Sequence, residues 1–483
     1  MTSNLIPSPV GSYNADPASS TQPQVIDLLV TNANIVSMDE ARRTIADAAI
    51  AVDAGRIVWM GPSVEAAARF APRERLDAAG KIAMPGMIDA HFHTAQQFLR
   101  GKLSQLSRRQ PLKIPIWKNY YVPFEGILDP EDVYLSGLFA YANMLMVGTT
   151  CFAEAGGPHP DEMGRAADEI GIRGLIALST VDSHASTGAV VPDSMMMTRD
   201  QAIERNIALV QRWKTHPRVN ASLALRQIIV CSPELITAIG QAAVDLDAKI
   251  HTHLCEGIYE IDFALQKFGM RPTEYLESLG VLSHHLHAAH SVILSPDEVD
   301  LYAKHRVSAC HCGLNNYSLG APRLVEMWRR GIDIGMGSDG GATAGTIDIF
   351  QVAHAAKIGQ QVLAGTPWHI RTAISYEELL AVATNGGARA LGMSPDIGQL
   401  SVGSKADILL VSCDDIDQQP LYDLMFTASS SVVGRDVRDV IVDGRVVVKD
   451  RELLSMDMGE IRAKVARRQP QLMERFERLV GAQ

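Results

Sequence analysis

The chain has 483 residues, 47% of them hydrophobic, and carries a formal net charge of −11. This composition is typical of a soluble globular protein, and no apolar run reaches the ~18 residues that a membrane span needs. The negative charge argues against nucleic acid and anionic membranes as partners. Six cysteines in so long a chain suit a reducing compartment, so we expect a cytoplasmic protein.

The first 25 residues are rich in Ser, Pro, Asn and Gln. They have neither the basic start nor the apolar core of a signal peptide. We therefore predict a mostly disordered tail over residues 1–25.

Short alternating runs with Asp and Gly at the turns follow this tail and return near the end of the chain. They include "AAIAVDAGRIVWMG" and "DVRDVIVDGRVVVKD", which are patterns of β-hairpins. We predict that residues 26–83 and 395–455 together form one small β-sandwich, and that residues 456–483 form a C-terminal helix.

Between these segments, over residues 84–394, apolar runs alternate with helix-length stretches. The candidate strands are eight runs: "KIAMPGMIDAHFH", "TTCFAEA", "RGLIALST", "RVNASLALRQ", "AKIHTHLCE", "LHAAHSV", "RVSACHC" and "DIGMGSD". This alternation favours a parallel sheet, and eight units match the α/β fold of a (β/α)₈ TIM barrel. A doubly wound open sheet is the alternative, but the chain lacks the usual G-x-G-x-x-G motif of that fold.

Polar residues stand at the C-terminal ends of four of these runs, where the catalytic residues of a barrel lie. Each alone fits an ordinary core or turn residue, but six buried polar groups need partners, and a metal ion provides one. The six are His91, His93, His253, Glu256, His290 and Asp339.

The spacing of His91 and His93 places both imidazoles on one face of a strand, because the side-chain period of a strand is two. The same rule makes His251 an alternative to His253. Since His253 stands nearer the end of its strand, we expect His251 to pack lower in the barrel. Three imidazoles and one carboxylate suit one divalent ion, zinc or alternatively iron(II), with a position left for water.

"CHC" at residues 310–312 has two interpretations. It is either a binding site for a soft metal ion or a pair of buried strand cysteines, and its β-rich context favours the second interpretation.

The sequence resembles the metal-dependent amidohydrolase superfamily, in the branch that holds purine, pterin and triazine deaminases and chlorohydrolases. The matching pieces include "PGMIDAHFHTAQQFLRG", "HTHLCEG", "GSDGG" and "NGGARALGMSPDIGQLSVGSKADILLV", and the likeness spans about residues 26–455.

The resemblance implies a role for each of the six polar residues. Glu256, His290 and Asp339 are the implied catalytic residues: His290 contacts the water or the intermediate, Asp339 accepts the proton of the water, and Glu256 shuttles a proton to the ring and the leaving group. Because no lysine closes the fourth strand, we expect one ion rather than two. The implied metal ligands are His91, His93, His253 and Asp339.

The pocket motifs depart from the usual pattern of this branch. "ALRQIIVCSPELI" replaces "HAPYTCSPELL", so Arg226 and Gln227 stand where many relatives carry a histidine. Asn316 and Thr343 keep an amide and a hydroxyl of neighbouring motifs. Gln96 resembles the glutamine of oxopurine, pterin and triazine enzymes that reads an N–H group, although a loop-anchoring amide is the alternative. These five residues are the predicted substrate contacts.

The loop after the first strand, "SRRQPLKIPIWKNYYVPFE", offers four aromatic side chains that can stack on a flat ring. They are Trp117, Tyr120, Tyr121 and Phe124, and we expect half of them to be packing residues.

The predicted function is metal-dependent hydrolytic deamination of an amino-substituted nitrogen heterocycle. The alternative is hydrolysis of a C–Cl, amide, urea or carbamate bond in a triazine or phenylurea xenobiotic. A non-enzymatic scaffold would lack metal ligands, and none is missing here. We expect a small-molecule substrate and a homodimer or homotetramer.

Overall fold

The structure is a computed structural model that describes residues 22–183 and 191–481. Residues 1–21 of the predicted tail lie outside the described residues. The strands are β1 (Gln24–Val36), β2 (Thr44–Asp53), β3 (Arg56–Pro62), β4 (Phe70–Asp77), β5 (Ile82–Pro85), β6 (Met87–Phe92), β7 (Thr149–Glu154), β8 (Arg173–Ile176), β9 (Val219–Ala221), β10 (Leu223–Leu225), β11 (Ile250–Leu254), β12 (Leu286–His290), β13 (Ser308–His311), β14 (Ile334–Met336), β15 (Ile408–Val411), β16 (Val437–Val442), β17 (Arg445–Lys449) and β18 (Glu452–Leu453).

The α-helices lie mostly between the strands of the central segment. They are α1 (Ser63–Arg69), α2 (Lys102–Ser107), α3 (Val122–Glu125), α4 (Pro130–Met146), α5 (Pro160–Ile170), α6 (Arg199–Trp213), α7 (Pro233–Leu246), α8 (Ile258–Phe268), α9 (Pro272–Ser278), α10 (Pro296–His305), α11 (Asn316–Leu319), α12 (Leu324–Arg329), α13 (Gly341–Ala344), α14 (Ile349–Gln360), α15 (Tyr376–Ala381), α16 (Gly387–Ala390), α17 (Leu424–Ser430) and α18 (Met458–Gly481). Over the described ranges, none of these helices has the length and apolarity that crossing a membrane requires.

Two parallel sheets form the centre of the molecule, in the strand orders β6-β7-β8-β9 and β10-β11-β12-β13-β14. Each of the eight runs predicted as strands contains at least one of these strands. Their burial on both sides is typical of parallel strands covered by helices. The mixed α/β class of the prediction is therefore confirmed.

Hydrogen bonds connect the two parallel sheets at both of their edges. At the break between β9 and β10, the amide of Ser222 donates to the carbonyl of Ile176 (3.0 Å), and the next amide donates to the carbonyl of Lys249 (2.9 Å). At the other edge, the amide of Asp339 donates to the carbonyl of His91 (3.0 Å). The strand ends that carry the polar residues are thus held next to one another.

A separate nine-stranded sheet combines both ends of the chain, in the order β18-β17-β16-β15-β5-β1-β2-β3, with β4 paired to β1. The two ends meet where β5 pairs with β15 in antiparallel register, Pro85 opposite Ile408. A buried ion pair joins this sheet to the parallel strands, because Arg173 donates to both carboxylate oxygens of Asp407 at 2.8 and 3.0 Å. The predicted domain boundaries at residues 83/84 and 394/395 stay predictions.

Aromatic packing anchors the turn that follows β6. Tyr141 on α4 stacks on Phe152 of β7 at a centroid distance of 4.4 Å, and its hydroxyl lies 2.8 Å from the Oγ1 of Thr94. Thr94 begins a 3₁₀ turn directly after His93. The packing of α4 therefore fixes the chain at one side of the predicted site.

Candidate active site

The six predicted polar residues meet at the C-terminal ends of β6, β11, β12 and β14. His290 is the last residue of β12, and Asp339 follows β14 by three positions. Both adopt positive φ angles, 69° and 60°, a conformation that costs free energy for residues other than glycine and occurs often at functional sites. The local backbone thus turns these two side chains out of the regular path of their strands.

The four predicted metal ligands form one buried cluster. The ligand nitrogens of His91, His93 and His253 all lie within 4.8 Å of one another, and the Nε2 atoms of His93 and His253 are 3.1 Å apart. Oδ1 of Asp339 lies 3.2 Å from Nε2 of His91 and 3.5 Å from Nε2 of His93. The structure brings all four side chains to one point.

Neighbouring groups orient these ligands. Nδ1 of His253 lies 2.8 Å from the carbonyl oxygen of Arg226; since a carbonyl only accepts, Nδ1 carries the proton and Nε2 keeps its lone pair. Nδ1 of His91 lies 2.8 Å from Nε2 of His251, so His251 supports the ligand ring instead of joining the cluster. Asn315, a residue the sequence reasoning missed, donates to Oδ2 of Asp339 at 2.9 Å.

This donor set fits a divalent cation. Nε2 of His91, which faces the cluster, is buried without a hydrogen-bond partner among the described residues, which is costly unless another group binds there. Burial, with the neighbouring imidazoles, lowers the pKa of His91, His93 and His253 well below the usual value, and metals bind the neutral ring. Imidazole nitrogens with one carboxylate are the ligands that zinc prefers.

Among the described residues, only one of the two carboxylate oxygens of Glu256 has hydrogen-bond donors. Its Oε2 accepts hydrogen bonds from the hydroxyl of Tyr259 (2.5 Å) and from Nε2 of Gln227 (2.8 Å). Its Oε1 lies 4.0 Å from Nε2 of His290. The free oxygen therefore lies toward the imidazole at the edge of the metal cluster.

Asn316 contacts both the backbone and the imidazole of His290. Its Nδ2 donates to the His290 carbonyl at 2.9 Å, and its Oδ1 lies 3.2 Å from Nδ1 of the same residue. Asn316 is fully buried and does not line the cavity, whereas its neighbour Asn315 does. The predicted substrate contact at position 316 is thus placed where it orients the imidazole of His290.

A cavity of about 700 Å³ opens over the cluster. Four of the five predicted substrate contacts line it: Gln96, Arg226, Gln227 and Thr343.

Two of the four aromatic side chains of the loop, Trp117 and Tyr121, also line this cavity. Tyr120 and Phe124 are buried away from it, the first accepting from the amide of Lys113 (3.1 Å) and the second packed edge-on against Phe476. The loop is therefore divided between the cavity and the core.

Glu125 connects two of the cavity residues and was also missed from the sequence. It accepts from Nε2 of Gln96 at 2.6 Å and from Nη1 of Arg226 at 2.5 Å, and it is buried. These contacts fix the orientation of the Gln96 amide through its Nε2. The other amide atom of Gln96, Oε1, has no hydrogen-bond partner in the described chain. A lone acidic residue in the apolar stretch "YYVPFEG" was the available signal, since a buried charge needs a partner.

Both cysteines of the "CHC" stretch are buried. Cys310 lies in β13, and Cys312 follows it with its sulfur within 4.8 Å of ligand nitrogens of His91 and His290. Cys312 therefore packs directly beside the candidate site.

Neutral imidazoles and a carboxylate at parallel strand ends, below a cavity that contains a glutamate with one free oxygen, define the site of a metal-dependent hydrolase. Comparison with known proteins identifies the family. The chain belongs to the amidohydrolase family, whose model matches residues 82–447.

Similar proteins cover nearly the whole chain. A 5-methylthioadenosine/S-adenosylhomocysteine deaminase of Syntrophobacter fumaroxidans is 30% identical over 449 residues, which are 91% of this chain and 97% of that protein. The deaminase of the same name from Desulforudis audaxviator is 30% identical over 453 residues, which are 92% of this chain and 99% of that protein. Among solved structures, an adenosine deaminase of Xanthomonas campestris with bound zinc is 28% identical, with a TM-score of 0.83, and the match covers 94% of this chain and all of that one.

An atrazine chlorohydrolase of Arthrobacter aurescens complexed with zinc is 24% identical, with a TM-score of 0.80 over 91% of this chain and 99% of that one, which is a likeness of fold alone. Together with the family match, these relationships confirm the predicted family and the predicted class of enzyme, a hydrolase that acts on carbon–nitrogen bonds. They also support the predicted hydrolytic deamination of a heterocycle.

Proposed function

We propose that this chain hydrolytically deaminates an amino-substituted nitrogen heterocycle of the purine, pterin, pyrimidine or s-triazine type. The observation that carries the proposal is Glu256, which has one oxygen free beside His290 at the floor of a cavity lined by amide side chains. The names of the similar proteins, three of the four being deaminases of adenine nucleosides, favour release of ammonia over other leaving groups.

We propose one divalent ion per chain, zinc with iron(II) as the alternative. His91, His93, His253 and Asp339 would hold it. When bound, such an ion lowers the pKa of a water molecule toward neutrality and so makes it a nucleophile at physiological pH.

Asp339, His290 and Glu256, which surround the proposed metal position, each take a different part in the proton transfers. Asp339 has Oδ2 fixed by Asn315, so Oδ1 is the oxygen available to accept the proton of the water. His290, held through Nδ1 by Asn316, directs Nε2 toward the same water. Glu256 delivers its Oε1 proton to the ring nitrogen, then takes the hydroxyl proton of the resulting adduct and passes it to the departing amine, which leaves as ammonia while the carbonyl forms. The proton held by Asp339 then restores Glu256 to its protonated form.

The cavity walls suit a flat polar ring. Gln96 offers a buried acceptor, Oε1, to an N–H group of the substrate, and leaving that acceptor unpaired would disfavour rings without a donor. Trp117 and Tyr121 can stack on the ring. Thr343, whose hydroxyl lies 3.4 Å from that of Tyr121, supplies a further polar contact.

We further propose that the two parallel sheets close into one (β/α)₈ barrel over residues 84–394, with the catalytic residues at its C-terminal face. The hydrogen bonds of Ser222 and Asp339 across the two sheet edges support this closure. Residues 26–83 and 395–455 would form the small β-sandwich, joined through β5 and β15. In solution we expect a cytoplasmic homodimer or homotetramer, which light scattering would test.

Hydrolysis of a C–Cl, amide, urea or carbamate bond in a xenobiotic is the second candidate function. Apolar side chains that line the cavity, among them Leu112, Ile116 and Ile258, favour it because they would accept alkyl or aryl substituents.

A substrate panel separates the two functions. Amino-heterocycles, chlorotriazines, phenylureas and carbamates are incubated with the zinc-loaded enzyme, and ammonia, alkylamine or aniline, and chloride are each measured. Glu256→Gln protein prepared identically controls for contaminating deaminases. We expect ammonia from at least one heterocycle; amine release from ureas with no ammonia from any purine, pterin, pyrimidine or triazine would contradict deamination.

A further inference from the structure

A second cavity, of about 460 Å³, lies at the opposite ends of the parallel strands from the candidate active site. Lys249 directly precedes β11, His285 directly precedes β12 and Asp333 directly precedes β14, and all three line this cavity. The metal cluster stands at the C-terminal ends of the same strands. The two cavities are therefore separated by the full length of the sheet.

Basic side chains outnumber acidic ones around this second cavity. Lys214, Lys249, Arg306 and Arg389 face Asp247 and Asp333. Arg389 is neutralised by Asp333, with Nε 2.8 Å from Oδ1.

The other three basic side chains of this cavity, Lys214, Lys249 and Arg306, have no carboxylate within 4.0 Å over the part of the chain that the structure describes. Three unpaired cations at one concave site are unexpected in a protein with a net charge of −11. They create a local positive potential in which an anion is stabilised.

Lys249 is less exposed than Lys214 and Arg306. Its ammonium donates to the carbonyl of His284 at 2.7 Å and has no other hydrogen-bond partner among the described residues. Burial lowers the pKa of Lys249 to about 8, and Arg306 contributes to the shift in spite of the opposing effect of Asp333. An anion beside this ammonium would favour its charged form.

A buried hydroxyl stands at the same cavity. Ser222, at the break between β9 and β10, is 2% exposed, and its Oγ has no hydrogen-bond partner in the described ranges. Ser222 lines the cavity, so a ligand with acceptor oxygens would relieve a buried donor that is otherwise unpaired.

A cation is the competing ligand, because Asp247, His284 and His285 place ligand atoms within 4.8 Å of one another at this cavity. Lys249 and Arg306 oppose it: a divalent ion there would be repelled by two unpaired positive charges. Asp247 is also almost fully exposed, with 94% of its side chain accessible, which weakens any charge interaction that it makes.

We propose that this cavity binds a small oxyanion, either inorganic phosphate or the phosphate group of a monoester. Lys249 and Arg306 would pair with the anion, Lys214 would add to the field at the entrance, and the hydroxyl of Ser222 would donate to it. Arginine and lysine side chains are the usual phosphate ligands, and a site built from them can be formed before the anion arrives. The inference does not depend on which reaction the active site catalyses.

The test is calorimetric titration of the metal-loaded enzyme with inorganic phosphate and, separately, with glycerol phosphate in a phosphate-free buffer. We expect one site per chain. Lys249→Gln and Arg306→Gln should each weaken binding at least about tenfold, the effect of losing one charge-assisted hydrogen bond. Stronger binding of the monoester would identify a phosphorylated metabolite as the ligand, and equal or weaker binding would identify free phosphate.

Lys357→Gln is the matched control. Lys357 also donates to a single carbonyl, that of Ile374, at 2.7 Å, but it lies outside this cavity. Arg306 is exposed, so Arg306→Gln should fold even if Lys249→Gln does not. The proposal is overturned if no binding occurs up to about 10 mM, or if neither variant weakens it, since the anion would then occupy the active site.

Discussion

Tyr259 donates its hydroxyl proton to the same carboxylate oxygen of Glu256 that Gln227 also contacts. Both donors therefore act on Oε2, and Oε1, near His290, has no donor within the part of the chain that the structure describes. Tyr259 stands three residues after Glu256, and burial raises its pKa well above the usual value, so its hydroxyl stays a donor. Because Tyr259 and Gln227 both donate to Oε2, the oxygen of Glu256 that can carry a proton is Oε1.

Removing this hydroxyl should slow the reaction without weakening substrate or metal binding. Tyr259→Phe leaves Oε2 with one donor and lets the carboxylate rotate, so we expect kcat to fall about tenfold, in line with the strength of a hydrogen bond to a charged group. KM and metal content should change little. Tyr275→Phe is the control, because the buried Tyr275 hydroxyl has no partner among the described residues. Equal kinetics of Tyr259→Phe and the wild type would show that Tyr259 does not position Glu256.

Metal content tests the cluster directly. We expect about one divalent ion per chain by elemental analysis, since four ligands converge on one point. His91→Ala and Asp339→Asn should lose both the ion and turnover, with circular dichroism close to that of the wild type. A metal-free protein with full activity, or about two ions per chain, would contradict the assignment.

Glu256 should affect the rate and not the ion. Glu256→Gln keeps the size of the side chain but cannot transfer a proton, so we expect kcat to fall by ~10²–10⁴. Metal occupancy should match that of the wild type. Loss of the ion in this variant would mean that Glu256 is itself a ligand.

The sequence located the residues whose positions depend only on strand periodicity. His91 and His93 follow from a period of two, and His253 was preferred to His251 because of its distance from the strand end. The structure places His253 in one cluster with His91 and His93, and His251 contacts Nδ1 of His91; their role as ligands stays a prediction. Local patterns of this kind are available from a single sequence.

Contacts between residues far apart in the sequence could not be predicted from local patterns. Glu125 is 101 positions from Arg226, and no local pattern predicts that pairing. Asn315 lines the cavity and Asn316 contacts His290, although the sequence predicted Asn316 as the cavity residue. The turn after β13 decides which of these two neighbouring amides faces the cavity, and a prediction from sequence is least reliable at such boundaries. The contact of Tyr259 with Glu256 is local by comparison, because Tyr259 lies in the first turn of α8, three positions after Glu256.

Stability should depend on pH through Glu154. Burial raises the pKa of this carboxyl from 4.5 to about 8, so between these values the folded state holds a proton that the unfolded state releases. Stability therefore falls as the pH rises through this window.

Glu154→Gln should flatten this dependence by up to about 1.4 kcal/mol per pH unit. It keeps an acceptor for the amide of Thr94, which Glu154 binds at 2.9 Å. Urea unfolding at several pH values between 5 and 8.5 measures the slope, and the exposed Glu131→Gln is the control. Identical slopes for Glu154→Gln and the wild type would show that Glu154 is ionised in the folded protein.

The last prediction concerns the buried ion pair of Arg226 and Glu125, whose side chains are 4% and 1% exposed. Arg226→Met leaves the carboxylate of Glu125 buried with only Gln96 as a partner, and an uncompensated buried charge costs about 3–5 kcal/mol. Adding Glu125→Gln removes the charge, so the double variant should recover most of the loss in urea unfolding. KM should nevertheless be raised in both variants, because both lack Arg226, which lines the cavity. If the single variant is as stable as the wild type and binds substrate normally, the pair neither stabilises the fold nor shapes the cavity.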